Sequence, residues 1–242
     1  IIQHATELQV KNKQLEQFAY IASHDLQEPL RKIQTFVQVI QAKMDDEDAR
    51  NRYFKKIETS AKRMGDLIQS VLNYSRLSQM AEIMVPVDLN YVLKSVLSDY
   101  ELFIEEKHAV IHADPLPVVH GIELQLGQLF SNLVGNSLKF SQGQPEISIS
   151  HNTVHGRVVR KLFNSAGSSE TYHELTFKDN GIGFEQQYAE KIFTIFQRLN
   201  SREEYAGTGI GLALCTKIAE NHNGYIYAKS ELGQGATFFV YL

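Results

Sequence analysis

FAYIASHDLQEPLRKI, residues 18–33, decides how the first third of this chain folds. Apolar residues recur at Leu15, Phe18, Ile21, Ala22, Leu26, Leu30 and Ile33, close to the helical period. The stretch therefore reads as an amphipathic helix. His24 falls at the edge of the apolar stripe, where it is reachable, and Asp25 sets a carboxylate beside it. An acid next to an imidazole can hold one ring tautomer or accept a proton. Pro29 removes one helix hydrogen bond and bends the segment locally. Alone, the stretch is a helix with one surface histidine, and only the rest of the chain can make that histidine a reactive group.

Residues 1 to about 80 contain one Pro and one Gly and read as two long helices. The first runs from the start to about Lys43. The second runs from about Ala49 to Ser78, with Phe54, Ile57, Ala61, Met64, Leu67, Ile68, Val71 and Leu72 on one face. Between them Asp45, Asp46, Glu47 and Asp48 form an acidic run that suits a helix N-terminus. Leu8, Leu15 and Ala22 are spaced by heptads and suggest a short coiled-coil lead-in. Two helices with long apolar stripes bury little as a lone hairpin. The expected solution is a homodimer through residues 1–80, in which two hairpins make a four-helix bundle.

The pattern breaks around Ala81 to Val87, and the linker is expected at 81–87, with a second domain over 88–242. There a helix is expected from about Asp88 to Lys107, then the strand-like HAVIHA. PVVHG precedes another helix, from Ile122 to about Phe140. EISISH, VVRKLF and HELTFKD read as strands, with a polar loop over Asn164 to Ser169. A helix from about Gly209 to Asn221 precedes a closing hairpin, GYIYAKS and GATFFVYL. The fold class is thus α+β and multi-domain: a helical hairpin, then an α/β sandwich with helices against one face of a mixed sheet.

The chain has 242 residues and a formal net charge of −4. No broad basic field is present, which argues against nucleic acid as a partner. The single cysteine, Cys215, lies in an apolar helical stretch, reads as a small buried hydrophobe and permits no internal disulfide. A reducing, cytoplasmic setting fits. No apolar run is long enough to span a membrane and no signal peptide is evident, so no membrane contact is expected within this stretch. The sequence begins at Ile1 in mid-helical pattern, and the expectation is a fragment with a sensor domain, or a membrane anchor, upstream.

Four separated clusters in the second region suit a nucleotide. Asn132 and Asn136 share a helix face, with Lys139 close by. Two amide oxygens and an ammonium can hold a hydrated Mg²⁺ and a polyphosphate, although a polar solvated face has the same appearance. DNGIGF, Asp179 to Phe184, puts an acid at a strand end before Gly181 and Gly183. Asp179 can accept a hydrogen bond from an exocyclic amine such as adenine's; the plain alternative is an Asp-Asn-Gly turn. GTGIGLAL puts Gly207, Gly209 and Gly211 before an apolar helix, a ready anion site or simply a turn. GQGATFF, Gly233 to Phe239, is either a fourth contact or a hairpin turn. Between the second and third, Phe193 and Phe196 can anchor a cover over the ligand, with Arg198 and Arg202 within reach of phosphates. All four in this order, behind His24, favour nucleotide chemistry over four unrelated turns.

The chain resembles the sensor histidine kinases of two-component signalling over nearly its whole length. SHDLQEPL resembles the phosphoacceptor box; NLVGNSLKF, DNGIGF, the paired phenylalanines, GTGIGLAL and GQGATF resemble the nucleotide-binding boxes. The wording of SHDLQEPLRKI and QRLNSREEYAGTGIGLAL looks most like phytochrome-type and PAS-linked kinases. The resemblance implies a dimerisation and phosphotransfer hairpin followed by a Bergerat-type ATP-binding domain, with ATP and Mg²⁺ as cofactors. It implies that His24 is phosphorylated, that Asp25 orients and deprotonates it, and that the phosphoryl group passes to a response-regulator receiver domain. It implies Asn136 as the Mg²⁺ ligand and Asn132 and Lys139 as its companions. Asp179, with Gly181 and Gly183, would read adenine, Gly207, Gly209 and Gly211 would lie near the phosphates, and Thr237 near the adenine. ATP-hydrolysing relatives of this fold carry a glutamate where Asn132 stands, and an amide is no general base. Glu28 stands where kinases that also dephosphorylate their partner carry Thr or Asn, which argues against strong phosphatase activity. Against a non-catalytic ATP-sensing scaffold, none of His24, Asn136 and the glycine set is missing.

His108/His112 and His151/His155 have helix-type metal spacing but fall in strand-like stretches, where such residues stand about 13 Å apart. A shared metal is not expected. His4, His120, His173 and His222 carry no motif.

Overall fold

A computed structural model of the protein describes residues 23–42, 46–77, 83–163, 167, 169–200, 205 and 207–242. The proposed heptads at Leu8, Leu15 and Ala22 lie outside the described residues, as do Asp45 and Arg202. The chain divides into two compact units, Ile1–Arg76 and Leu77–Leu242.

The first unit is two helices, α1 over 23–42 and α2 over Glu47–Arg76. Asp46 starts α2: its carboxylate accepts from the Ala49 N–H at 2.8 Å, while Glu47 and Asp48 complement the helix dipole. Arg63 reaches back to Glu28 at 3.6 Å, and Tyr53 packs on Phe36 at 5.6 Å. Pairing that falls on one helix as it rises on the other makes the helices antiparallel. Lys56 covers both rings. The apolar residues Leu30, Val37, Phe54, Ile68 and Leu72 are each at least 40% exposed, more than a lone hairpin should leave in water.

In the second unit a five-stranded sheet runs in the order β2-β4-β5-β7-β6, where β2 is Val110–Ala113, β4 Glu146–His155, β5 Thr171–Asp179, β6 Tyr225–Ser230 and β7 Ala236–Tyr241. β2 and β4 pair in parallel and the remaining neighbours antiparallel, so the sheet is mixed, and β6 and β7 form the expected closing hairpin. Against one face lie α3 (Leu89–Asp99), α5 (Glu123–Lys139) and α7 (Gly211–Asn221). Leu126, Leu129, Phe130 and Leu133 of α5 are fully buried over Ile147, Leu175 and Phe177, with Phe130 edge-on to Phe177 at 5.0 Å. Cys215 of α7 is buried as expected, and burial pushes its thiol up.

Four expectations need correction. Val85–Asp88, placed at the linker and the start of a helix, is strand β1, paired antiparallel with β3 (Val118–Gly121). Its partner lies more than thirty residues on, too far to be legible locally. Asp88 then caps α3 by accepting from the Asn90 N–H, and the expected long helix breaks at Tyr100 into α3 and α4 (Glu101–Glu106). VVRKLF is not a strand but part of helix α6, Gly156–Leu162, started by His155, whose ring nitrogen accepts from the Arg157 N–H. The helices are also not confined to one face. Strand alternation turns Tyr172, Tyr227, Phe239 and Tyr241 away from α5 and α7, and Val159 of α6 packs with Tyr172 and Tyr241.

Candidate active site

α1 places the histidine. The His24 side chain is 68% exposed, whereas that of Asp25 is only 13% exposed. His24 Nδ1 stands 3.2 Å from Asp25 Oδ1. With the carboxylate as acceptor, Nδ1 carries the proton and Nε2 keeps its lone pair toward solvent. Pro29 sits four residues beyond Asp25, so the donor it lacks is the one that would have bound the Asp25 carbonyl. Glu28, one turn after His24, has its carboxylate shared between Lys32 at 2.9 Å and Arg63 at 3.6 Å.

In the second unit one pocket brings together Asn132, Asn136, Lys139, Asp179, Gly183, Gly207, Gly209 and Gly211. Helix period puts the two asparagines and Lys139 on the pocket side of α5. Asn132 Nδ2 donates to the Gln128 carbonyl at 2.8 Å, which turns its Oδ1 toward α7. There a Cβ on Gly211 would stand 2.7 Å from that oxygen, so a side chain at this position would push the Asn132 amide aside. The Asn136 side chain makes no hydrogen bond to the described residues and points its amide at ligand space. Lys139 lies over the Phe140 ring at 4.2 Å, and burial, reinforced by the Arg198 charge, pushes its ammonium down to about 8.

Asp179 ends β5 and is 8% exposed. Its Oδ1 accepts from Gly181 N at 2.9 Å and Ala236 N at 3.1 Å, and Ser137 Oγ donates to Oδ2 at 3.3 Å. Burial nevertheless raises its pKa, the three hydrogen bonds only partly opposing it. Gly181 contributes this N–H but is not itself among the pocket-lining residues. Gly183 holds a positive φ of 60°, and a side chain there would run into the Glu231 carbonyl.

Thr237 does not line the pocket. Its neighbours Ala236 and Phe238 do, and alternation along β7 turns Thr237 toward the opposite side, near Lys229 and Gln186. Arg198 is spent locally: it donates to the Gly207 carbonyl at 2.8 Å and to the Tyr205 carbonyl. Phe196 N–H donates to the Gly209 carbonyl at 2.8 Å, tying the aromatic segment to the glycines. Phe140 and Tyr205 lie inside the quoted motifs without an expected role; both line the pocket, and their rings pack at 4.9 Å across sixty-five positions of chain. The sequence also gave no hint of the contact between His151 Nε2 and His173 Nδ1 at 3.0 Å, which joins two strands rather than a helix turn. Among the described residues no cluster of three or more His, Cys, Asp or Glu suits a metal ion, and no helix is long and apolar enough to cross a membrane.

Polyphosphate chemistry gives Lys139 a testable signature. An anion beside the ammonium restores its proton, so if Lys139 faces a polyphosphate, binding of ATP should take up protons as the pH rises through about 8. Calorimetric titrations in buffers of different ionisation enthalpy should show that uptake, and Lys139→Gln should remove it. Identical enthalpies across buffers for the unaltered chain would remove Lys139 from the phosphate site.

Residues 121–242 match the histidine kinase-, DNA gyrase B-, and HSP90-like ATPase family, and residues 14–79 match the His kinase A (phospho-acceptor) domain. Cyanobacterial phytochrome A of Nostoc sp. (strain PCC 7120 / SAG 25.82 / UTEX 2576) is 39% identical over 99% of this chain. Phytochrome-like protein Cph1 of Synechocystis sp. (strain ATCC 27184 / PCC 6803 / Kazusa) is 36% identical over 99% of it. The chain spans 30% of the length of each of these relatives. Among solved structures, histidine kinase ThkA in complex with response regulator protein TrrA is similar in fold, with a TM-score of 0.71 at 18% identity. That likeness covers 97% of this chain and 63% of that one.

Proposed function

This chain belongs to the histidine kinases, and from that premise we propose that it phosphorylates His24 from ATP and passes the phosphoryl group to an aspartate of a response-regulator receiver domain. The observation that carries the proposal is the polarity of the His24–Asp25 pair, with Nδ1 held and Nε2 free, in a chain that also builds the Asp179–Asn136 pocket.

Nε2 attacks the γ-phosphorus in line, the N–P bond forms as the P–O bond to ADP breaks, and ADP leaves. Asp25 holds the Nδ1 proton and stabilises the positive charge that develops on the ring. Lys139 and the N-terminal N–H groups of α7 offset negative charge on the polyphosphate. Asp179 accepts from the adenine amine through Oδ2, since Oδ1 is committed to two backbone donors. The lone free amide oxygen of Asn136 suits Mg²⁺, which takes few protein ligands and completes its shell with phosphate and water. When bound, that cation neutralises phosphate charge. Asn132, with no basic oxygen, leaves water unactivated, which favours transfer to His24 over hydrolysis. The phosphohistidine nitrogen is then the leaving group when a receiver carboxylate attacks the phosphorus. The named complex of ThkA with a response regulator supports such a partner by analogy of fold.

Within this reading the first unit is the dimerisation and phosphotransfer domain, and the second, which includes β1, is the ATP-binding domain. The exposed apolar residues of α1 and α2 support a homodimer through the first, as a self-complementary surface would. ATP chemistry and a lone buried Cys215 support a cytoplasmic setting. Acid-labile phosphate on His24 after exposure to Mg·ATP is the test, and a chain that takes up none sinks the proposal.

Phosphatase activity is proposed to be weak, because both Glu28 oxygens already meet cations and are poorly placed to hold an attacking water. Glu28→Thr should raise release of inorganic phosphate from a phosphorylated receiver. Equal release by both chains would show that Glu28 does not set this activity.

A further inference from the structure

α5 and α7 run antiparallel and are tied at intervals. At the pocket end Gly211 faces the Asn132 amide; midway the Cys215 thiol stands 3.9 Å from the Leu129 carbonyl. At the far end Asn221 Nδ2 donates to Gln125 Oε1 at 3.1 Å, and His222 Nε2 accepts from the Ile122 N–H at 2.9 Å. The two helices therefore form one strut, with the nucleotide pocket at one end.

Asn221 does one thing more. Its Nδ2 also donates to the Leu77 carbonyl at 3.0 Å, and Leu77 is the first residue of the second unit. Beside it Gln125 is only 1% exposed, yet its Nε2 has no hydrogen-bond partner among the described residues. A buried orphan donor costs stability, and an apolar residue of the same shape would avoid that cost. One main-chain carbonyl is thus held, beside a spare buried donor, in a small polar socket where the chain enters the ATP-binding unit.

We infer that Asn221 and Gln125 form this socket and are positioning residues for phosphoryl transfer to His24. The inference rests on the phosphotransfer reading above. Neither residue lines the nucleotide pocket, so neither should affect how ATP binds. Both fix where the ATP-binding unit begins relative to its own helices. Transfer needs reacting atoms in near-attack geometry, and small misplacements far from the chemistry lower the rate steeply.

The experiment uses the full 242-residue chain and its Asn221→Ala and Gln125→Leu variants. The leucine replaces amide by apolar volume and removes the orphan, which keeps a folded variant in hand. The expected result is a kcat for His24 phosphorylation lowered roughly 10- to 100-fold in Asn221→Ala, and lowered in Gln125→Leu. The KM for ATP and the affinity for a non-hydrolysable ATP analogue should stay unchanged in both. An unaltered kcat in the variants overturns the inference and leaves the kinase reading standing. A matching fall in analogue affinity makes the pair a support of the pocket and also overturns it. An unaltered chain that never labels His24 removes the reading and the inference together.

Discussion

His24→Ala abolishes acid-labile labelling from γ-labelled ATP and leaves nucleotide binding within about twofold, if Nε2 is the nucleophile, because no other group replaces it. The side chain is 68% exposed, so little packing is lost, and exposed substitutions of this kind change stability by about 0.5 kcal/mol or less. Alanine is also the better helix former. A lost label therefore cannot be assigned to unfolding, and circular dichroism with analogue binding checks that directly. The site of attachment is a second readout. With Nδ1 held by Asp25 at 3.2 Å, the phosphate should sit on Nε2, which phosphorus-31 NMR of the labelled chain distinguishes from Nδ1. Asp25→Asn keeps a hydrogen-bonding oxygen but loses the charge. Its rate should fall by about 10²–10⁴, the range typical of a positioned acid or base. Persistent label in His24→Ala, or phosphate on Nδ1, would overturn the assigned geometry.

How much of this was legible beforehand depends on the distance over which each feature is encoded. The two helices of the first unit follow from a periodicity carried within each helix. Asn132, Asn136 and Lys139 converge because steps of four and three residues, two helix turns in all, keep them on one face, and the sequence states that spacing outright. Asp179 and Gly183 come together with the α7 glycines because each cluster ends a strand or opens a helix beside the pocket. Thr237 was misplaced for a local reason of the opposite kind. GQGATFF fixes the turn, but a strand reverses side at every residue, so proximity in sequence to Ala236 is opposition in space. VVRKLF has too few residues to separate period two from period 3.6, and the His155 cap decides for the helix. β1 and the Asn221–Gln125 contact needed partners 30 to nearly 100 positions away, and no local pattern announces either. His222 is the same case: it is buried, its Nδ1 is 2.7 Å from the Ile218 carbonyl and its Nε2 holds Ile122 from a hundred positions off.

Asp179→Asn should weaken ATP binding by roughly 10- to 100-fold, the worth of a hydrogen bond to a charged group, and do so without lowering stability near neutral pH. The hydrogen bonds explain both halves. Two backbone N–H groups converge on Oδ1, from Gly181 at 2.9 Å and Ala236 at 3.1 Å, so the asparagine carbonyl must take that position. The amide nitrogen then occupies the Oδ2 position, where it can donate to Ser137 Oγ while Ser137 goes on donating to the Leu133 carbonyl. Every buried group stays paired. What changes is the face presented to ligand, from an acceptor to a donor, and a donor opposes the adenine amine. Stability follows from the raised pKa of Asp179. A carboxyl that holds its proton more tightly in the folded state binds more protons there than in the unfolded chain. Unfolding free energy then falls as pH rises from the unfolded pKa through the folded one, and above both values the ionised group is a net cost. A neutral asparagine does not carry that cost, so its variant should match or exceed the parent in denaturant midpoint at neutral pH and lose the advantage in acid. The reversed polarity has one further consequence: an inosine triphosphate, which offers a carbonyl where adenine offers an amine, should gain on ATP in competition with a fluorescent nucleotide. Unchanged ATP affinity, or an unchanged ATP-to-ITP ratio, would remove Asp179 from base recognition.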